Sequence, residues 1–517
     1  MTARASAAWL ARSEPLSIGL CCFGLRVVSL ARTCLSDDEA IYAVVAREML
    51  SGRVLYRDVV DHKPPLIYFI YALTQAIGGP WGGMILLHLL TIATVLATAL
   101  LLRRLVREFG DCPSDARAPV WAGLLYAVFT TTLLPFDGLA ANCELFMMLP
   151  LTASVLFFLR GAGELRARPL FVSGLLLGVA ALCKCQAGVQ GVLYVAVLAT
   201  FHWRRVPRAI VASAVVGAGA VAAIVAAVAV FHRLGSLDAA WFWFRFNFGY
   251  IKTGFAPLDT VKRAVVRVSF VALSAAFLWI LGTRAALKSM APSPTAMPFA
   301  RFATLWAVVS ALAITTGGRF FGHYFHQLTA PLALLAAPAA ARLWNDRRRM
   351  VALAIGGPGL AFFLVGIFQA PAFAAAGAAG PDYRRMADLI NAYSRPDDRL
   401  VVWGNLPVLY FVAGRPLGTR FVFSNYMTGL SPATPSQSDP AVDASSNVVP
   451  ESWDMFEADL ARRTPRVLID TSPGNLAAYG KFPPSSFPRL QALLDRDYTL
   501  VNASAGLRVF VRREGLD

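Results

Sequence analysis

Ionisable side chains from several separate stretches of this sequence provide the groups that could carry out chemistry. They lie within or beside strongly apolar runs, where charged groups are costly and tend to mark function. Carboxylates close to cations at a membrane surface suit a reaction in which an anionic group is bound while a hydroxyl or amine attacks. The candidates are Asp37, Asp38, Glu39, His62, Lys63, Asn142, Glu144, Lys184, Arg319, His323, Tyr324, His326 and Gln327.

Glycosyl transfer is one reaction that would suit this set of residues. The carbon under attack is oxocarbenium-like, and an inverting displacement needs one base on the face away from the leaving group. Asp38 can take the proton of the acceptor, and Glu144 would orient the acceptor or the sugar. Cations can bind a phosphodiester and stabilise its charge as it departs. These cations are Lys63, Lys184, Arg319 and His323.

Structural roles are an alternative for the same residues. The acidic run 37–39 could cap a helix over residues 40–50, because the first helical turn favours negative charge. Lys63 could be a lysine whose ammonium group extends to the membrane interface. Lys184 could form an ion pair with Glu144. None of these roles excludes a catalytic one.

The composition excludes several classes of protein. Of the 517 residues, 57% are hydrophobic and 15% are charged, against about 25% charged in soluble proteins. A cytosolic enzyme and a disordered regulator are thereby disfavoured, and a polytopic membrane protein is indicated. The seven cysteines are scattered without a metal-binding spacing, so we interpret most of them as small apolar residues.

The apolar runs predict eleven transmembrane helices. A span needs about 17–25 residues. For the first run a cleaved signal peptide is the alternative, but the absence of a small-residue cleavage site favours a retained span. The predicted spans are 15–31, 83–102, 119–135, 143–159, 169–183, 187–202, 209–231, 265–282, 302–316, 325–341 and 351–369.

Basic residues are concentrated in alternate short loops, as in 103–117, 160–168 and 204–208. The positive-inside rule therefore places the N-terminus in the cytoplasm and the C-terminus outside. The same loops account for most of the net charge of +17, so no nucleic-acid partner is needed to explain it. With this orientation the candidate residues share the outer face, which predicts a single polar site.

The tail of the chain has the composition of a soluble domain. Short apolar runs at 400–403, 466–470, 498–501 and 507–511 predict strands, and 382–392, 453–463 and 486–494 predict helices between them. We therefore predict a membrane domain at 1–375, with a first outer loop at 32–82, and an extracytoplasmic α/β domain at 380–517.

Several of these segments resemble motifs of the GT-C type membrane glycosyltransferases. The first outer loop contains Ser36-Asp37-Asp38-Glu39-Ala40-Ile41-Tyr42-Ala43 and His62-Lys63-Pro64-Pro65-Leu66, and later motifs are Asn142-Cys143-Glu144 and Gly318-Arg319-Phe320-Phe321-Gly322-His323-Tyr324. The combined order is similar to that of the lipid A aminoarabinose transferase and of bacterial relatives of protein O-mannosyltransferases.

The resemblance implies a bacterial inner-membrane enzyme. Such an enzyme takes a sugar from a polyprenyl-phosphate-linked donor and transfers it, on the periplasmic side, to a glycolipid, polysaccharide or protein of the cell envelope. Asp38 and Glu39 match the acidic pair that contains the catalytic aspartate, and Glu144 matches the second acidic position. Lys63 and Arg319 match positions expected to bind the donor phosphate.

Two departures from the pattern leave acceptor identity and metal use open. Ile41 replaces an arginine that is often found in the aminoarabinose enzymes, and His62 stands where those enzymes have a glutamate that can bind metal. Imidazole is a good zinc ligand, so His62 with His323 could hold a divalent ion. His323 and His326, three residues apart, could instead form hydrogen bonds at the interface.

A transporter or flippase of a lipid-linked sugar is the alternative function. Transporter sites tend to lie near the bilayer midplane, on broken helices within repeats. This sequence has its ionisable residues at the outer edge and shows no internal repeat, which favours the enzyme.

Overall fold

The computed structural model describes residues 3–31, 35–111, 116–252, 256–291, 298–374, 382–432, 434–439 and 441–513. Helices form the first three quarters of the chain. They are α1 (Ala3–Arg26), α2 (Asp37–Leu50), α3 (Leu66–Phe109), α4 (Ala118–Phe129), α5 (Pro135–Gly138), α6 (Cys143–Ala162), α7 (Ala167–Cys183), α8 (Gln190–Phe201), α9 (Val206–Arg233), α10 (Leu237–Lys252), α11 (Pro257–Ser274), α12 (Ala276–Ser289), α13 (Phe299–Thr315), α14 (His326–Asp346) and α15 (Arg348–Ala374).

The chain is a multi-pass membrane protein, but eleven crossings are not confirmed. Among the described residues, six helices are long and apolar enough to span a membrane, and α11 with α12 would make a seventh. These two helices meet at a bend of 100°. The bend falls inside the predicted span 265–282, which is therefore not one straight helix. Hydropathy alone does not show such a bend.

The first predicted outer loop is partly helical. Helix α3 begins at Leu66, directly after Pro65, and continues past the predicted loop end at residue 82. Its axis is broken at Gly79, which has a φ of 67° and is followed by Pro80. A glycine accepts this left-handed conformation without the steric cost that a side chain brings. The segment before Gly79 therefore forms a separate helical arm next to α2.

Helices α7 and α9 pack with their backbones close together. A Cβ atom on Gly174 would meet the carbonyl of Val216, and one on Gly219 would meet the carbonyl of Phe171. Small residues at membrane helix interfaces allow such close approach. This pairing holds the turn after α7, which carries Lys184, in a fixed position.

The tail folds as a small α/β unit, which we call the C-terminal domain (residues 382–513). Its strands β1 (Leu400–Trp403), β2 (Val467–Asp470), β3 (Tyr498–Ser504) and β4 (Leu507–Arg512) lie where the sequence predicts strands and form a sheet of order β1-β2-β4-β3. Strands β1 and β2 are parallel, and the other pairs are antiparallel. Its helices are α16 (Tyr383–Ala392), α17 (Val408–Ala413), α18 (Asn425–Thr428), α19 (Pro435–Ser438), α20 (Ser452–Arg463) and α21 (Pro488–Asp497).

Side chains at the end of α2 form hydrogen bonds with backbone groups of the C-terminal domain. Arg47 donates to the carbonyls of Tyr410, at 3.0 Å, and Arg415, at 2.5 Å. Buried Glu48 accepts a hydrogen bond from the backbone N–H of Leu417 at 3.0 Å. These bonds fix the C-terminal domain over the helix whose first turn carries Asp38.

Candidate active site

A cavity of about 720 Å³ lies between the membrane domain and the C-terminal domain. Its wall includes residues from the start of α2, from the loop before α3, from the turn after α7 and from the loop between α13 and α14. These are the distant stretches whose polar residues the sequence predicted to lie together. Those lining the cavity are Asp37, Asp38, His62, Lys63, Asn142, Lys184, Arg319, His323 and Tyr324.

Asp38 forms an ion pair with Lys63. It lies in the first turn of α2, which begins at Asp37 and not at residue 40. The N-cap is Ser36, whose hydroxyl accepts a hydrogen bond from the backbone N–H of Glu39 at 3.2 Å, so the acidic run forms the first turn and does not itself cap the helix. Lys63 Nζ lies 2.7 Å from Asp38 Oδ1 and donates to the hydroxyl of Tyr42 at 2.5 Å. Burial opposes the charge on Lys63, but the Asp38 carboxylate outweighs it and raises the lysine pKa above its usual range. A half-buried ammonium and a carboxylate thus share one edge of the cavity.

Glu144 lies directly behind the cavity wall. It is buried in the first turn of α6 and forms an ion pair with Lys184, as one structural interpretation predicted. Burial acts against the charge on Lys184, yet Glu144 raises the pKa of this lysine. The lysine ammonium also lies 3.8 Å from the ring centre of Tyr324. Glu144 therefore acts on the cavity through Lys184.

His323 lies between two carboxylates. Its Nδ1 is 2.7 Å from Asp137 Oδ1, and its Nε2 is 3.7 Å from Glu144 Oε1. Burial lowers the pKa of the imidazole, but Glu144 and Asp137 together raise it above the ordinary value. His326, for which hydrogen bonding was one interpretation, contacts the carbonyl of Asp137 through Nε2 at 2.9 Å. Both histidines thus contact Asp137. The two carboxylates beside His323 favour the cationic form of its imidazole.

Arg319 reaches the cavity from a strongly bent loop. Gly317 and Gly318 have positive φ angles of 77° and 64°, and Phe320 has one of 48°. Arg319 is buried and donates from Nη2 to Ser431 Oγ of the C-terminal domain at 2.9 Å. Burial lowers its pKa to about 10, so the guanidinium stays charged at neutral pH.

Glu39 is placed behind the cavity wall, away from the site that the sequence assigned to it. Its carboxylate accepts hydrogen bonds from the backbone N–H groups of Leu35 and Ala141, both at 2.5 Å. His88 Nε2 lies 3.5 Å away. Burial raises the pKa of this carboxyl to about 7. Glu39 thus ties the start of α2 to the segment that precedes α6.

His62 contacts protein groups. Its Nδ1 lies 3.2 Å from the hydroxyl of Tyr426 and 3.1 Å from Asp61 Oδ1. In the described part of the chain, no three His, Cys, Asp or Glu side chains come together as a metal-binding group. The five described cysteines are unpaired, and Cys34 and Cys112 lie outside the described residues.

Comparisons with known proteins agree with this architecture. The family model for dolichyl-phosphate-mannose-protein mannosyltransferase matches residues 62–231. ArnT from Cupriavidus metallidurans, in the apo state, has a similar structure over 98% of both chains, with a TM-score of 0.61 and 16% identity. This chain has a GT-C glycosyltransferase fold. The resemblance that the sequence motifs indicated, to GT-C glycosyltransferases that use polyprenyl-phosphate sugars, is confirmed.

Two further GT-C structures are similar. ArnT bound to undecaprenyl phosphate aligns with a TM-score of 0.60 and 16% identity, over 100% of this chain and 99% of that one. The apo oligosaccharyltransferase of Archaeoglobus fulgidus aligns with a TM-score of 0.55 and 13% identity, over 98% of this chain and 74% of that one. No curated protein sequence matches this chain.

Several residues of this GT-C cavity were not predicted from the sequence. Asp137 stands between apolar runs, and the rule that selected Glu144 would have selected it too. Tyr426 carries no such signal, because a tyrosine in a half-buried segment is ordinary. The same holds for other cavity residues of α10 and the C-terminal domain, namely Phe242, Arg245, Phe246, Asn405, Asn425, Ser431, Asn447 and Glu451.

Proposed function

We propose that this protein is a glycosyltransferase that moves a sugar from a polyprenyl-phosphate-linked donor to a hydroxyl or amine of a cell-envelope acceptor. The observation that carries the proposal is that Asp38, Lys63 and Arg319 line one cavity together with further cations. A base and a group of phosphate-binding side chains are what such a reaction requires. The similar ArnT structure contains undecaprenyl phosphate, which supports the lipid class of the donor.

The donor phosphate binds at the cationic wall. Lys63, Lys184 and Arg319 are all buried or half-buried there, and a low-dielectric site strengthens their attraction for a phosphate. Lys63 is already paired with Asp38. A phosphate oxygen competes for the same ammonium and thereby frees the carboxylate. Donor binding thus prepares the base.

The reaction is a single displacement. An acceptor oxygen or nitrogen attacks the anomeric carbon while Asp38 takes its proton, and the bond between that carbon and the phosphate oxygen breaks. The leaving group is the polyprenyl phosphate, whose added negative charge is stabilised by Lys63, Arg319 and the imidazolium of His323. One base and one leaving group give inversion at the anomeric carbon.

The location follows from the basic loops. With the N-terminus in the cytoplasm, the cavity and the C-terminal domain lie on the periplasmic side of the bacterial inner membrane. The acceptor is then a glycolipid, polysaccharide or protein of the cell envelope. Labelling of single introduced cysteines in a cysteine-free variant, with a reagent that does not cross the membrane, tests this orientation.

The activity test uses the purified full-length protein with a panel of polyprenyl-phosphate sugars and envelope extracts, and mass spectrometry of the acceptors. Asp38→Asn removes the base, so we expect transfer to fall roughly 100- to 10,000-fold, while binding of polyprenyl phosphate is retained. Asp259→Asn, at an exposed position of α11, is the control. If Asp38→Asn transfers sugar as fast as the wild type, Asp38 is not the base. If the protein moves the lipid-linked sugar across a vesicle membrane but transfers no sugar to an acceptor, a transporter is favoured.

A further inference from the structure

The cavity has a second wall of different chemistry, which we call the amide wall. It belongs to the C-terminal domain, and Glu451 is the one acidic or basic side chain among its described lining residues. Since a phosphate is drawn to the cations opposite, the amide wall is left for an uncharged part of a substrate. Its polar and aromatic members are Asn405, Phe423, Asn425, Tyr426, Ser431, Ser446 and Asn447.

The amide wall is held rigidly from behind. Tyr479 donates a hydrogen bond to Asn425 Oδ1 at 2.9 Å, and Asn447 Nδ2 donates to the carbonyl of Gly429 at 3.2 Å. Gly429 has a φ of +72°, and a Cβ atom there would collide with the carbonyl of Ala444. A fixed arrangement lowers the entropic cost of binding. The wall is therefore built before a ligand arrives.

The unused groups of the two amides are complementary. Tyr479 already occupies Oδ1 of Asn425, so the Nδ2 hydrogens of Asn425 remain as donors, and Asn447 keeps Oδ1 as an acceptor; within the described residues neither atom has a partner. Sugar hydroxyls both donate and accept, which suits such amides. The rings of Tyr426 and Phe246, 5.3 Å apart, offer apolar area to the C–H face of a sugar.

The amide wall also touches the phosphate-binding wall. The hydroxyl of Tyr426 lies 3.2 Å from His62 Nδ1, and Ser431 accepts a hydrogen bond from Arg319. A group bound at the amide wall is thus next to a phosphate bound by Arg319. We infer that the amide wall binds an uncharged carbohydrate unit, which belongs either to the donor or to the acceptor. This inference rests on the proposed function.

The test compares polyprenyl phosphate without a sugar and polyprenyl-phosphate hexoses as probes of the full-length protein. The variants are Asn425→Asp, which keeps the acceptor for Tyr479 and loses the amide donor, and Asn405→Ala. Asn502→Asp is the matched control, because Asn502 Oδ1 also accepts a hydroxyl hydrogen bond, from Ser504 at 2.7 Å, but Asn502 is not a cavity residue. The thermal unfolding midpoint of each variant shows that it folds.

The two sources of the sugar give different results. If the donor supplies it, the variants bind the sugar-bearing lipid roughly fivefold more weakly, the loss of one hydrogen bond, and bind the bare lipid phosphate as the wild type does. If the acceptor supplies it, donor binding is unchanged and the KM for the acceptor rises by a similar factor. Unchanged donor binding and unchanged acceptor KM overturn the inference. Failure of the wild type to bind bare polyprenyl phosphate overturns the proposed function instead.

Discussion

Asp137 and His323 are joined by two contacts to one oxygen. Asp137 Oδ1 accepts a hydrogen bond from the backbone N–H of His323 at 3.0 Å and lies 2.7 Å from Nδ1 of the same residue. The contact is close because residue 322 is a glycine, and a Cβ atom there would collide with Asp137 Oδ2. The imidazole is thereby fixed with its other nitrogen towards Glu144. A carboxylate that no motif singled out sets the charge of a cavity residue.

The pair predicts how transfer depends on pH. Although burial lowers the pKa of His323, Glu144 and Asp137 raise it. Below the pKa of a histidine in the unfolded chain, about 6.5, His323 is fully protonated. It loses this proton as the pH rises through its higher pKa in the folded protein. In Asp137→Asn one charge that supports the imidazolium is gone, so the alkaline limb of kcat/KM moves to lower pH. A pH–rate profile measures the shift.

Two further variants check this interpretation. Gly322→Ala pushes Asp137 away from His323 and should move the alkaline limb in the same direction as Asp137→Asn. His323→Gln has no titrating group and should lose that limb. If Asp137→Asn lowers kcat equally at every pH, its role is structural and does not involve the charge of His323.

Arg319 should contribute mainly to binding of the lipid phosphate. Its guanidinium is buried and charged at neutral pH, and charge-assisted hydrogen bonds are strong in such surroundings. We expect Arg319→Ala to weaken binding of bare polyprenyl phosphate roughly 10- to 100-fold. Arg496→Ala, at an exposed arginine paired with Asp497, is the control for a lost charge. Equal affinities of the two variants in a lipid-binding titration contradict the role of Arg319.

Glu39 should matter for stability more than for chemistry. The Glu39 carboxylate accepts hydrogen bonds from the backbone N–H groups of Leu35 and Ala141. In Glu39→Gln the NH₂ group of the new amide would face one of these two donors. One buried donor is left unpaired, which costs about 1–3 kcal/mol. The free energy of unfolding should fall by that amount. At the exposed Glu164, which pairs with Arg166, the same exchange should change it by less than about 0.5 kcal/mol. Full stability with lost transfer would instead favour direct catalysis by Glu39.

Gly429 should be needed for the amide wall. Gly429→Ala adds backbone strain and a collision with Ala444, whereas Gly414→Ala, at a φ of +66° with open space around it, adds strain alone. The control substitution should lower the free energy of unfolding by about 1–2 kcal/mol. Gly429→Ala should lower it by roughly 1–3 kcal/mol more. Thermal unfolding and limited proteolysis of the C-terminal domain measure the difference. Equal losses for both variants show that the wall tolerates movement at residue 444.

Sequence patterns predicted the parts of the fold that depend on local periodicity. The runs at Leu400–Trp403 and Val467–Asp470 are short and rich in β-branched residues, and both are strands. The long apolar runs are helical, but the bend between α11 and α12 depends on packing, and no local signal marks it. The break at Gly79 had a signal, a Gly-Gly-Pro sequence, but residues 66–82 were assigned to the predicted outer loop 32–82 and not to a helix.

The residues of the candidate site that could be predicted from the sequence are the charged ones that lie beside apolar segments. Asp38, Lys63 and Arg319 are conspicuous beside apolar spans, and they line one cavity. The amide wall was not predicted, because asparagine and tyrosine are ordinary residues in a soluble-like segment. The tertiary contacts of Tyr426 with His62 and of Ser431 with Arg319 show that this segment belongs to the site.

The bonds from Arg47 and Glu48 to the C-terminal domain limit how this protein can be divided. A truncated chain that stopped at residue 375 would leave the acceptors of Arg47 missing and the Glu48 carboxylate without the backbone N–H of Leu417. The helix that presents Asp38 would then lose its support at the opposite end. The membrane-spanning part therefore depends on the C-terminal domain: both ends of α2 are held in place only when the last quarter of the polypeptide has folded against it.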